Sequence, residues 1–245
     1  MTLSTTWAVS WRVLTQLRRD PRTVALMLVV PCVLLVLLWW MFNGDGQVFA
    51  TFGPPLLAMF PFIVMFLVTS VTTLRERNTG TLERLLSMPM GKLDLLLGYA
   101  IAFGLMALLQ AILAAGLTVG LLGLHIAGPV WALTVVAVLD AILGSTLGLF
   151  VSAFAETEFQ AVQFMPALVI PQILLCGLFV SRDDLPGVLH AISSVLPLSF
   201  AVDAMQQVQG AVGLDGRFWV DLLVICAFIV ACVALGAATL RRRTP

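Results

Sequence analysis

Seven charged side chains, Arg75, Glu76, Arg77, Glu83, Arg84, Lys92 and Asp94, crowd into residues 75–94 of a 245-residue chain that is 60% hydrophobic and only 11% charged. Among them Leu82, Leu85 and Leu86 share one narrow face of a short helix, with Glu83, Arg84 and Ser87 on the polar face. Thr79 and Thr81 offer side-chain oxygens for a helix start, and Pro89 and Gly91 stop the helix after about two turns. The chemistry here is recognition: ion pairs beside an apolar ridge. An isolated helix this short is marginal in water, so span ends or a second protein must hold it. The charged edges, Arg75-Glu76-Arg77 and Lys92-x-Asp94, suit salt links to a polar partner surface.

Bond-making constellations are scarcer. Asp140 lies in the middle of an apolar run, where a charged Asp costs about 2.5–3.5 kcal/mol, so it must face protein or water, or carry a proton. It is either a substrate or proton contact or a structural hydrogen-bonding group. Gln110 and Gln172 raise the same question, and Gln172, beside Pro171, is placed to face a pathway. A phosphate-binding GxxxxGK[ST] loop is missing: around Gly91-Lys92, Leu86 replaces the first Gly and Leu93 the Ser or Thr. Gly144-Ser145 lacks the GxSG context and membrane-centred His of an intramembrane serine protease. Cys32, Cys176, Cys226 and Cys232 sit inside apolar runs without CxxC spacing and read as packing residues. His125 and His190 complete no metal set.

The elements that carry these residues are membrane helices. A mean hydropathy of +1.06 excludes an ordinary soluble domain. Six continuous apolar runs, roughly 23–42, 54–74, 95–122, 130–154, 162–180 and 218–240, are each long enough to span a bilayer. Their continuity, rather than alternation, predicts helices and not a β-barrel. Arg12, Arg18, Arg19, Arg22, Arg75, Arg77, Arg84, Lys92 and Arg241 to Arg243 fall on one side of the bilayer; only Arg182 and Arg217 fall on the other. Eleven positives against two predict both termini on the cytoplasmic side, in agreement with an even number of spans. The apolar run near the N-terminus starts late and lacks a small-residue cleavage site, so no cleaved signal peptide is expected.

Residues 3–20 predict an amphipathic helix on the inner surface. Leu3, Trp7, Trp11, Leu14 and Leu17 gather on one arc and Arg12, Gln16 and Arg19 on the other, with Asp20-Pro21 as the terminator. Asn43 to Gly46 and Gly123 to Pro129 read as external turns. The segment 181–217 carries a stretch of about a dozen apolar residues, too short to cross, and a second short helix with Asp203, Gln206, Gln207 and Gln209. Both are expected to dip into the outer leaflet and return. Pro31, Pro61, Pro166 and Pro171 lie inside spans and permit kinks.

Arg75-Glu76-Arg77-x-x-Gly80-Thr81-Leu82-Glu83-x-Leu85-Leu86-x-x-Pro89, then Gly91-Lys92, resembles the signature of ABC-2-type permeases, the membrane subunits of bacterial ATP-driven exporters. Pro171-Gln172-x-Leu174-Leu175-x-Gly177-x-Phe179, then Leu185-Pro186 and Pro197-Leu198-Ser199-Phe200, resembles that family's fifth span and outer re-entrant helices. Cys176 stands where the family often has Ser, Val180-Ser181-Arg182 lacks a Pro common after the Phe, and Ser199-Phe200 replaces the usual Thr-Tyr.

The resemblance covers essentially the whole chain and implies a single six-span, all-α transmembrane domain over residues 1–245. It implies that 79–90 form a coupling helix docking on a separate nucleotide-binding subunit. Arg75, Glu76, Arg77, Thr81, Leu82, Glu83, Arg84, Leu85 and Leu86 would carry the coupling, and Asp140, Pro171, Gln172 and Phe179 would line a substrate pathway. The chain itself would bind no cofactor, with ATP and Mg on the partner. A second permease chain and the bacterial inner-membrane lipid are the other expected partners, and nucleic acid is not. A hydrophobic drug or lipid is the expected cargo, with polysaccharide as the alternative. The competing class is a stand-alone ion- or proton-coupled carrier using Asp140, for which no inverted repeat is detectable.

Overall fold

The computed structural model describes residues 3–42, 46–80 and 91–239. Among these residues the chain is helical and forms no strand. Six helices are long and apolar enough to cross a membrane: α2 (Pro21–Met41), α3 (Gly46–Asn78), α4 (Lys92–Gly116), α5 (Val130–Val151), α6 (Glu158–Leu175) and α9 (Gly216–Thr239). An N-terminal helix, α1 (Leu3–Arg19), precedes them, and two short helices, α7 (Gly187–Ser193) and α8 (Pro197–Gly210), separate α6 from α9. These match the six apolar runs, with one consequential extension. α3 continues past Leu74 to Asn78, so Arg75, Glu76 and Arg77 form the last turn of a spanning helix rather than the start of a loop. Gly80, at φ +72°, then turns the backbone into the left-handed region that ends helices.

The centre of the fold is the contact between α3 and α5. α5 presents Gly144 and Gly148 four residues apart, and a Cβ at either would strike the carbonyl oxygen of Phe62 or Phe66 respectively. Small residues at this spacing let two backbones approach closely, which is how helices associate where water supplies no hydrophobic drive. Phe62, Phe66, Leu133 and Ala137 fill the surrounding core with Val202 and Met205 of α8 and Phe218 of α9. α2 and α6 are peripheral and leave most of their apolar surface outward.

Proline in α2 explains one buried polar residue. Pro31 has no N–H, which frees the carbonyl four residues earlier, that of Met27. Gln110 of α4, wholly buried, donates its side-chain amide to that carbonyl at 2.7 Å. The glutamine therefore repairs a proline-broken helix bond inside lipid, where unsatisfied backbone groups are expensive. Gln110→Leu should lower stability by about 1 kcal/mol, measured by denaturant unfolding in micelles, because the carbonyl is left bare.

α1 lies against α4, with Thr6, Val9, Ser10, Val13 and Leu17 buried and Trp7 and Trp11 exposed. The approach is close: a Cβ on Gly98 would come within 2.6 Å of Val9. The buried stripe is rotated by about a quarter turn from the Leu–Trp arc that hydropathy alone suggests, since helical residues advance by about 100° each. α4 selects the small and β-branched face, and the indoles are left outward. Asp20 then caps α2, accepting from the Thr23 N–H at 3.2 Å and the Thr23 hydroxyl at 2.7 Å. These bonds hold its carboxyl below the usual aspartate range.

At the end opposite α3's last turn, α7 and α8 meet at 88°. α8 is no surface helix: Leu198, Ala201, Val202, Ala204, Met205 and Val208 are buried. The Ala127 and Gly128 N–H groups satisfy its terminal carbonyls at Gln209 (3.1 Å) and Val208 (2.8 Å).

Candidate functional site

The charged triplet at the end of α3 sends each side chain to a different helix, as side chains 100° apart around one turn must. Arg75 makes a two-pronged pair with Glu158 in the first turn of α6, at 3.0 and 3.1 Å. Both partners are about half exposed, so the pair is weak: Arg75→Ala should cost less than about 1 kcal/mol, and less still in high salt, by thermal unfolding. Arg77 turns to the C-terminal end of α5, donating to the carbonyls of Ser152 and Ala153 at 3.0 Å each and to that of Ala155. A cation there satisfies carbonyls that have no helical partner and complements the helix dipole. Asn78 adds a bond to the Glu156 carbonyl at 3.3 Å.

Glu76 is the buried member, only 4% exposed. Arg12 of α1 donates to its Oε2 at 2.8 Å and to the Tyr99 hydroxyl of α4 at 2.7 Å. The Tyr99 hydroxyl in turn donates to Glu76, and the Arg12 guanidinium lies 5.8 Å from the Tyr99 ring centroid. Burial works against charge on Arg12, but Tyr99 and Glu76 outweigh it, and the guanidinium holds its proton above the ordinary arginine range. Asp94 at the start of α4 accepts the Gly91 N–H at 3.1 Å and sits 3.4 Å from the Thr6 hydroxyl of α1. α1 therefore bonds to both stems of the segment 75–94, one leaving α3 and one entering α4.

This differs from the sequence-based expectation in two respects. Arg75, Glu76, Arg77 and Asp94 were expected to meet a partner's surface, yet all four have partners inside the chain. Arg12 was expected in water on the polar face of α1; it is instead the cation for Glu76. Neither Arg12 nor Tyr99 stood out as a site residue. One signal was available, for Tyr99 is the chain's single tyrosine and lies within an apolar span. Thr81, Leu82, Glu83, Arg84, Leu85 and Leu86, the body of the expected coupling helix, lie outside the described residues.

The expected pathway residues do not gather. Asp140 is fully buried in α5, and neither carboxylate oxygen has a hydrogen-bond partner among the described residues. Gln172 is buried and bridges locally, donating to the Leu168 carbonyl at 3.1 Å and accepting from the Leu198 N–H at 3.4 Å. Pro171 and Phe179 face outward, Phe179 being 63% exposed. Asp140 and Gln172 thus point into the fold, and Pro171 and Phe179 away from it.

The family model described as "ABC-2 type transporter" matches residues 4–210, from α1 to the end of α8. The chain is 27% identical over 174 residues to "Probable multidrug ABC transporter permease YbhS" of Escherichia coli, covering 71% of this chain and 45% of that protein. It is 27% identical over 175 residues to the YbhR permease of the same organism, covering 71% and 47%. To "Linearmycin resistance permease protein LnrN" of Bacillus subtilis it is 23% identical over 180 residues, covering 71% and 45%. The chain spans about half the length of these relatives. A match over most of the chain, carried on six apolar helices, makes the conclusion direct: the chain belongs to the ABC-2 type transporter family.

Proposed function

We propose that this chain is the membrane-spanning permease subunit of an ATP-driven exporter, moving a hydrophobic or amphipathic drug or lipid outward. In this reading separate ATPase subunits, carrying ATP and Mg, dock on residues 79–90, and a second permease chain completes the pathway. The chain sits in a bacterial inner membrane with both termini cytoplasmic, the side on which eleven of its thirteen basic residues fall. The names of the relatives, two multidrug permeases and a linearmycin resistance permease, favour a drug-like cargo over polysaccharide.

The observation that carries the reading is the rooting of the handle. Arg75, Glu76 and Arg77 tie its stem to α6, to α1 with α4, and to α5. A push on the segment is thereby shared among four helices instead of bending one loop. Leu82→Asp with Leu86→Asp, or Glu83→Arg, should abolish substrate-stimulated ATP hydrolysis by the reconstituted complex while the chain still inserts. Wild-type transport in both variants would remove this role from residues 79–90.

A second reading draws on Asp140, whose buried carboxyl has no hydrogen-bond partner among the described residues, as suits a proton carrier. It requires transport by the purified chain with no ATPase present, and loss of that transport in Asp140→Asn. ATP-dependent transport that survives Asp140→Asn would leave this carboxyl a structural role only.

A further inference from the structure

Three cations gather where α1 ends and α2 begins. Arg18, Arg19 and Arg22 are exposed, and no guanidinium of the three makes a hydrogen bond or ion pair among the described residues. The one carboxylate between them, Asp20, accepts from the Thr23 N–H and hydroxyl. Arg75, whose charge reaches Asp20, is already paired with Glu158. Three guanidiniums against one carboxylate leave two positive charges unmatched at this corner.

Two exposed stripes run into it. On α1, Trp7 and Trp11 are 58% and 64% exposed, and at 100° per residue Arg18 shares their arc of about 40°. On α2, Arg22 heads a file in which Leu26, Val29 and Val33 follow on the same helix face, each about half exposed.

The stripes fix both depth and chemistry. Exposed tryptophans beside arginines sit in the headgroup layer, and the apolar file beginning one turn beyond Arg22 lies in hydrocarbon. A molecule covering both must carry an anionic head at the level of the arginines and an apolar tail along α2. Guanidinium groups meet phosphate oxygens with paired N–H donors. A zwitterionic lipid brings its own cation with its phosphate and leaves the surplus charge unmatched, whereas a lipid of net negative charge cancels it.

We infer that the corner between α1 and α2 binds an anionic phospholipid of the adjoining leaflet. Its phosphate is held by Arg18 and Arg22, with Arg19 adding charge, and one acyl chain runs along Leu26, Val29 and Val33. The site stands for either orientation of the chain in the membrane, whatever the cargo is.

The test uses the full chain, purified and delipidated in a neutral detergent. Native mass spectrometry follows binding of phosphatidylglycerol, phosphatidylethanolamine and phosphatidylcholine. Thermal unfolding is read with the same lipids and with soluble glycerol 3-phosphate. Each basic residue near an anionic lipid surface contributes about fivefold, so two unmatched charges predict a preference of about twentyfold for phosphatidylglycerol. That lipid should also raise the unfolding midpoint most, since a ligand of the folded state stabilises by mass action. Arg18→Gln with Arg22→Gln, at guanidiniums that hold nothing among the described residues, should keep the lipid-free midpoint and lose most of the preference. Arg217→Gln, which removes an equally exposed cation at the opposite end of the molecule, should retain it. Equal binding of the three lipids, the parent's preference in the double variant, or an equal loss in Arg217→Gln would overturn the site. Glycerol 3-phosphate matching phosphatidylglycerol would overturn the lipid assignment and leave a simple anion site. A double variant of altered oligomeric mass, with no lipid preference in the parent, would give this face to a second copy and overturn the lipid assignment as well.

Discussion

Arg12→Ala should destabilise the protein by about 3–5 kcal/mol, because it leaves Glu76 charged in a site 4% exposed. The pair spans α1 and α3 at 2.8 Å, and among the described residues Glu76 Oε1 has no partner and no second cation is paired with Glu76. The loss should be largely reversed by Glu76→Gln in the Arg12→Ala background, since a neutral amide tolerates burial that a lone carboxylate does not. A double-mutant cycle in detergent, followed by unfolding, reads the coupling directly. Tyr99→Phe is the graded control. It keeps the ring under the guanidinium, removes one hydroxyl, and should cost about 1 kcal/mol. If Arg12→Ala cost no more than Arg75→Ala, Glu76 would not depend on α1. The rooting of the handle would then be weaker than the geometry implies.

The second large effect belongs to the centre of the fold. Gly144→Leu or Gly148→Leu should cost about 3 kcal/mol or more, and the double substitution should prevent assembly of α3 on α5. The obstacle is backbone meeting side chain: the Phe62 and Phe66 carbonyls lie where the new Cβ would go, and a carbonyl in a packed helix cannot swing aside as a long side chain can. Even alanine should be resisted at both positions. Gly116→Ala in α4 is the matched control, with no heavy atom within 4 Å of the added Cβ. It should be neutral or stabilise by up to about 1 kcal/mol through helix propensity. Similar losses at Gly116 and Gly148 would mean that general helix effects, not close approach, set the response.

The architecture was largely legible in the residues. Continuous apolar runs, two short stretches before the last span, and the Asp20-Pro21 break all correspond to elements of the structure. Boundaries blurred where hydropathy and helix length part company. Arg75 to Asn78 look like loop because they are charged, yet α3 runs through them because neighbouring helices supply their partners. The face of α1 that packs on α4 is not legible in hydropathy, because the Leu–Trp arc is the one expected at the headgroup layer, whereas close approach to Gly98 takes Val9 and its small neighbours. Gln172 had been placed on a pathway by its type and its neighbour Pro171, whereas its hydrogen bonds turn it into the fold.

Residue order alone determined what is local or additive: six spans from hydropathy, the crowding of charge between the second and third, and the absence of a phosphate-binding loop. Those properties sum over neighbouring residues and need no knowledge of what lies across the bundle. Only the tertiary structure decided who pairs with whom. Arg12 is 64 positions from Glu76, Gln110 is 83 from the Met27 carbonyl, and Gly144 meets Phe62. In lipid any cation, amide or small residue can serve such a need, so the choice among them belongs to the packing geometry of the assembled helices.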